Sequence, residues 1–320
     1  MKKASLYLAV AAAVALAVGS ASAQQKRLSI ATGGTGGVYY PLGGALANVL
    51  GKALPGVDAT AEVTSASVDN IKLVGAGKAD VAFTLGDTAA DGLNGVGKFK
   101  EKVAIRALAV IYANKSQWVT VEGTGVNKMQ DLKGRRIATG APGSGTEVIA
   151  LRMLEAYGID PDKGVKREKL SVAESVNALK DRKIDAFFWS GGVPTASVTD
   201  LAATPGMKIK LLDHADALPS MVKKYGPLYV KGTIPAKSYP GQEKDAVGVD
   251  VWNLLVVSDK MDEKLAHDIT KAVFESKEEL AGVHAEAKNL DLQKQYTIGS
   301  PVPFHPGAAR YFSEKGLKPK

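Results

Sequence analysis

An apolar run at residues 28–31 leads into Gly33-Gly34-Thr35-Gly36-Gly37-Val38-Tyr39-Tyr40-Pro41, and a helix-like run, residues 42–54, follows at once. Few arrangements accept such a segment. Four glycines in five residues favour a turn over a regular element, and the turn leaves the backbone uncovered for close approach by a ligand. The free N–H groups of the helix start then point back at the turn and make an anion pocket. A second such element, Gly140-Ala141-Pro142-Gly143-Ser144-Gly145-Thr146-Glu147, follows a strand-like run at 136–139 and opens a helix-like run at 146–157. Two anion-friendly turns, well separated in one chain, suggest a ligand gripped between two lobes.

The rest of the chain alternates in the same way. Strand candidates are residues 28–32, 81–85, 105–112, 136–139, 186–189 and 249–257; helix candidates are 42–54, 68–76, 146–157, 173–180, 194–203, 217–225 and 262–283. This alternation predicts an α/β architecture with largely parallel sheets. Residues 68–83 and 174–188 echo each other: an amphipathic helix, a tight turn, Lys-x-Asp and an apolar strand. At 320 residues the chain exceeds what one small core organises, so two domains are expected. The chain is expected to cross between them twice, near 114–126 and near 249–257, and these crossings would act as hinges. The boundaries expected are a first lobe at 24–115, a second at 116–250 and a return to the first at 251–320.

The N-terminus predicts the compartment. Lys2 and Lys3 form a basic start, residues 6–18 an apolar core too short to span a bilayer comfortably, and Ala21-Ser22-Ala23 a small-residue cleavage site. Residues 1–23 read as a signal peptide cleaved after Ala23, which places the mature chain in a bacterial periplasm. The chain has no cysteine, hence no disulfide and no thiolate chemistry. The formal charge of +8 loses two lysines with the signal peptide, leaving +6 spread without blocks, a surface mildly favourable to anions. Nucleic-acid binding finds no support, with 6% aromatic residues and no basic helix.

The motifs exclude several chemistries. From Gly34 the third glycine of a dinucleotide fingerprint would fall on Tyr39, so that pattern fails. Gly140 and Gly145 have phosphate-loop spacing, but Thr146-Glu147 replaces the required lysine, and Glu147 would repel a phosphate. Ser144-Gly145-Thr146-Glu147 also reads as a capping box, which still leaves N–H groups and the Thr146 hydroxyl for a carboxylate. No nucleophile elbow surrounds Ser144 or Ser190. His214, His267, His284 and His305 have no neighbours at metal-ligand spacing. Asp87 ends a strand where ligands of open α/β sheets bind, or else caps the next helix. Trp189 and Gly191 hold the equivalent place in the second lobe, where Trp189 is either core or cleft wall. No catalytic group, cofactor or metal is expected.

The glycine turn at 32–41, Gly140 to Glu147, Asp185-Ala186-Phe187-Phe188-Trp189 and His305-Pro306-Gly307-Ala308-Ala309-Arg310-Tyr311-Phe312 resemble, in order, the TAXI family of solute receptors for TRAP transporters. The resemblance spans essentially the whole mature chain. It implies a two-lobed, type II-like periplasmic binding protein fold, a ligand in the cleft between lobes joined by two hinge crossings, and delivery to an ion-coupled membrane permease. The implied solute is a glutamate-like amino acid or a dicarboxylate. By position the implied contacts are Thr35, Gly36, Gly37, Tyr39, Ser65, Ser67, Asp87, Ser144, Gly145 and Thr146. Gly143, Glu147, Trp189 and Gly191 join them from the second turn and the strand end, and Asp87 or Glu147 would meet a ligand ammonium. Two steps depart from the family: Ser65-Ala66-Ser67 stands where Gly-Gly-Ser is common, and Leu85-Gly86-Asp87 where Gln-Ser-Asp is common. A monomer is expected. Rival readings are a receptor for an ATP-driven importer or a sensor kinase, a periplasmic enzyme of the same fold, and a structural protein.

Overall fold

The structure, a computed structural model, describes residues 25–319; the expected signal peptide lies outside them. The chain opens with β1 (Lys26–Ala31), α1 (Tyr39–Ala53), β2 (Val57–Glu62), α2 (Ser67–Gly75) and β3 (Val81–Leu85). β1 pairs in parallel with β2 on one side and β3 on the other. After α3 (Gly86–Asn94), the long strand β4 (Ile105–Val121) carries the chain into a second half. There the unit recurs as β5 (Arg136–Ala138), α4 (Gly145–Ala156), β6 (Lys166–Glu168), α5 (Val172–Lys180) and β7 (Ala186–Gly191), with β5 parallel to β6 and β7. The two echoing sequence segments are α2–β3 and α5–β7, the same step of the two units.

α6 (Ala196–Ala203), β8 (Ile209–Leu212), α7 (Leu218–Tyr225) and β9 (Tyr229–Ile234) follow. A second long strand, β10 (Ala246–Ser258), returns to the first half, where α8 (Glu263–Glu275), α9 (Lys277–Val283), α10 (Gln295–Ile298) and α11 (Pro306–Glu314) end the chain. The strands run β2-β1-β3-β10-β4-β7-β5-β6, with β8 on β4 and β9 on β10. The largely parallel pairing expected from the alternation is confined to the two ends. β10 is antiparallel to β3, β4 and β9, and β4 to β7 and β8, because two long strands run across the middle in opposite directions.

Those two strands join the halves. β4 pairs with β10 through Lys115, then with β7 from Lys115 onward. β10 pairs with β9 through Val251, then with β3 from Asn253. The crossing is therefore made inside continuous strands, and β4 runs nine residues beyond the expected end at Tyr112. The predicted helix at 262–283 is likewise two helices, broken at Ser276.

Each half buries apolar side chains on both sheet faces. In the first, Leu28, Ile30, Leu46, Leu50 and Phe312 pack one side and Val68, Ile71, Phe99 and Val256 the other. In the second, Trp118, Ile149, Met153 and Phe188 pack one side and Val176, Leu179, Phe187 and Leu201 the other. Each buried aliphatic or phenylalanine side chain contributes about 1.5–3 kcal/mol. These rigid layers hold still the loops that meet between the halves.

Candidate functional site

A cavity of about 220 Å³ lies where the halves meet, room for a small organic molecule. The first half supplies residues 33–39, 63–67 and Leu85 to its wall. The second supplies Gly140, Ala141, residues 144–146, 171–173 and 189–191, and Tyr112 and Asn114 come from β4 between them. The starts of α1, α2, α4 and α5 all reach this wall, so four helix N-termini converge on one space.

Both sequence turns are here. Thr35, Gly36, Gly37 and Tyr39 line the cavity from the first; Ser144, Gly145 and Thr146 line it from the second; Ser65 and Ser67 lie between. The Ser144 Oγ accepts from the Glu147 N–H at 3.0 Å and leaves the Gly145 and Thr146 N–H groups to the cavity. The capping box is only half formed. The Glu147 carboxylate does not return to Ser144 but turns to Lys98 at 3.2 Å, Arg167 at 3.3 Å and Lys169 at 3.7 Å, outside the cavity wall.

Gly143 also lies outside the wall. Its φ of +81° suits glycine, and its carbonyl accepts from the Val68 and Asp69 N–H groups at 3.1 and 3.2 Å. The second turn thereby occupies two of the orphan donors of α2 from across the seam. The Gly36 carbonyl is bound in the same manner by the Ser197 hydroxyl at 3.1 Å. Trp189 is cavity wall, its ring lying over Gly37 and its Nε1 donating to Thr195 Oγ1 at 2.8 Å; Gly191 lies beneath it. Tyr39 donates to Asn253 Oδ1 and stacks on Phe83. Burial raises its phenol far above the ordinary value, Asp87 adding to the effect against a Ser67 hydrogen bond.

Asp87 is neither in the wall nor the cap of α3, whose N-cap is Leu85. It is fully buried, accepting from Tyr229 at 2.8 Å and Arg152 at 3.2 Å, and Arg152 also bonds Asp91. Burial raises Asp91 above its ordinary range; Arg152 opposes this and the nearby Asp87 reinforces it. Burial pulls Arg152 down, but Asp87, Tyr229 and Asp91 outweigh it, so the guanidinium stays charged. The cluster ties α3 of the first half to α4 and β9 of the second. No described residue lining the cavity is Asp, Glu, Lys, Arg or His.

The four histidines lie elsewhere: His214 against the Leu212 carbonyl, His267 between Asp268 and Glu314, His284 on the Pro194 carbonyl, and His305 capping α11. Sequence reasoning missed Tyr112, Asn114 and Asn70. Asn70 is buried and donates to the Thr32 and Phe83 carbonyls at 2.7 and 2.8 Å while receiving Thr64, which fixes the loop at 64–67 beside β1 and β3. The polar stretch Asn114-Lys115-Ser116-Gln117 between two apolar runs was the available signal for a strand continuing through the crossing.

Comparison with known proteins agrees with this architecture. A protein from Bordetella bronchiseptica RB50 is 22% identical, with 93% of this chain and 84% of that one covered at a TM-score of 0.51. An ancestral arginine-binding protein bound to arginine is 15% identical, covering 82% and 98%, at 0.50. The protein Tv2483 bound to L-arginine is 13% identical, covering 83% and 90%, at 0.51. The fold is the mixed α/β, two-lobed fold of periplasmic binding proteins. A sequence profile described as the NMT1-like family matches residues 30–316, and the chain belongs to that family.

Proposed function

We propose that this member of the NMT1-like family is a periplasmic solute receptor that closes two lobes, residues 24–115 with 251–320 and residues 116–250, on a small organic anion. The observation that carries the reading is the cavity at the seam, walled from both halves by two glycine turns and several helix starts. Helix N-termini favour anions, and neutral hydroxyls and backbone N–H groups can hold one without covalent chemistry. The contacts proposed are Thr35, Gly36, Gly37, Tyr39, Ser65, Ser67, Ser144, Gly145, Thr146, Trp189 and Gly191. Asp87, Gly143 and Glu147 act behind them, holding the halves together.

The arginine of the structural neighbours does not carry over, because a guanidinium would need acids that the described cavity wall lacks. The same argument weighs against the glutamate-like solute that the TAXI resemblance implies, since Asp87 and Glu147 are both committed to basic partners. Delivery to a TRAP-type permease rests on that resemblance, as export rests on the signal peptide.

Thermal melting of residues 24–320, stripped of ligand by refolding, tests the reading against amino acids, keto acids and mono- and dicarboxylates. A ligand that binds only the native state raises the melting temperature, and the compound should be recovered unchanged. A flat panel opposes the small-anion reading, and conversion of the compound would indicate an enzyme. Uptake through the partner permease should follow a sodium gradient; dependence on ATP would assign the chain to an ATP-driven importer.

A further inference from the structure

Two residues of the cavity wall each carry a buried polar atom with no hydrogen-bond partner among the described residues. Tyr112 is fully buried, lines the cavity, and its hydroxyl is unpaired. Asn114 is 2% exposed; its Nδ2 donates to Ser190 Oγ at 3.2 Å, while its Oδ1 accepts from no described residue. The two residues are i and i+2 on β4, so they share one face of the strand. Buried polar atoms are nearly always paired, and an unpaired one forfeits its hydration for nothing. Two of them on neighbouring wall residues of one cavity point to a partner that enters with the solute. Burial holds the Tyr112 phenol well above its ordinary value, with Tyr39 and Glu286 adding to it, so the group remains a neutral donor.

The wall also limits charge. The starts of α1 and α4 face the cavity, whereas that of α2 is stoppered by the Gly143 carbonyl and that of α5 by the Glu174 carboxylate, which accepts from the Ser171 N–H at 2.8 Å. Each free helix start is equivalent to about half an elementary charge, so the two together suit one carboxylate better than two. With no ionised side chain in the described wall, a second carboxylate or an ammonium would enter uncompensated, and a buried unpaired charge is strongly disfavoured.

We propose that the solute is a singly charged carboxylate that also carries a neutral hydrogen-bonding group, such as a hydroxyl, read by the Tyr112 hydroxyl as donor and Asn114 Oδ1 as acceptor. This narrows the small-anion receptor described above and rests on it. A site built to hydrogen-bond a hydroxyl rejects the analogue that lacks it far more strongly than a purely apolar pocket does.

The test is calorimetric titration of ligand-stripped residues 24–320 with 3-hydroxybutanoate, butanoate, 3-aminobutanoate and succinate. The hydroxy acid should bind at least tenfold more tightly than each of the other three. Tyr112→Phe should cut that affinity about tenfold or more and erase the preference over butanoate. The melting temperature of the unliganded variant should be unchanged or higher, since an unpaired buried hydroxyl has gone. Tighter binding of succinate or 3-aminobutanoate overturns the inference but leaves the receptor reading standing. So does an unchanged affinity of Tyr112→Phe for the tightest-binding carboxylate of these four and the melting panel. Failure of every anion in both sets overturns the two together.

Discussion

Ala66 lies in the cavity wall with φ +85° and ψ −143°, a conformation that glycine adopts freely and alanine does not. The strain has a purpose at that place: the turn at 64–67 brings Ser65 and Ser67 to the cavity, and the Thr64 hydroxyl accepts the Ala66 N–H at 3.0 Å to fix it. The resemblance to the TAXI family implies glycine at this position, the residue that suits this conformation. Ala66→Gly should therefore stabilise the protein by about 1 kcal/mol, the strain relieved exceeding the entropy glycine loses on folding. A differential melt of variant against parent checks this, and a lower melting temperature for the glycine form would refute it. The hidden partners of Asp87 show the converse limit of sequence reading. Its position at a strand end suggested a ligand contact, but whether a carboxylate meets a solute or an arginine depends on Arg152 and Tyr229, 65 and 142 residues away.

At the scale of elements, α4 is the part most directly involved in the closure proposed above. Its first residue, Gly145, faces Leu85 and Ser67 of the other half, and a Cβ there would lie 2.7 Å from both Leu85 Cδ1 and Ser67 Oγ. Helical φ and ψ accept alanine, so the helix itself gains by the change. Gly145→Ala should leave the separated lobes intact yet obstruct their approach, reducing carboxylate affinity about tenfold, or ~1.4 kcal/mol. The melting shift given by the best carboxylate measures it; a shift equal to that of the parent would contradict the placement. The βα units were legible because each combines an apolar run, a glycine or serine turn and an amphipathic helix. β2, β6, β8 and β9 were not, being short or half exposed, with little apolar pattern to read. The polar stretch at 114–117 falls in the crossing expected at 114–126, after a strand expected to end at Tyr112, yet Asn114, Ser116 and Gln117 are buried because β4 passes through the interior at the crossing. The break at Ser276 lacks a glycine or proline to announce it. The cavity was legible as two turns, but the wall joining them came from that unread strand.

Across the whole molecule, two strands and a set of polar ties hold the halves. Asp250 of β10 and Lys115 of β4 are cross-strand partners at the crossing, 2.5 Å apart. Burial raises the Asp250 carboxyl from 3.8 to about 6, the Lys115 hydrogen bond opposing this and failing to overcome it. A carboxyl whose folded pKa is raised favours the folded state most below its unfolded value, so this contribution is lost as pH rises from about 4 to 6. The loss is at most about 1.4 kcal/mol per pH unit in that window. The Asp250→Asn variant does not titrate there, so its melting temperature should gain on that of the parent between pH 4 and 6; a constant difference would contradict the assignment. Val68 and Asp69 on Gly143, Ser197 on Gly36, Val193 on Glu286 and Lys98 on Glu147 are the ties farther from the two crossing strands. They describe lobes brought together, and the receptor proposed above must be able to separate them to admit its solute. Small-angle X-ray scattering of ligand-stripped residues 24–320, without and with a saturating carboxylate that raises the melting temperature, tests this directly. The radius of gyration should be larger without the carboxylate and fall when it is added; the same radius in both states would contradict a receptor that closes on its ligand.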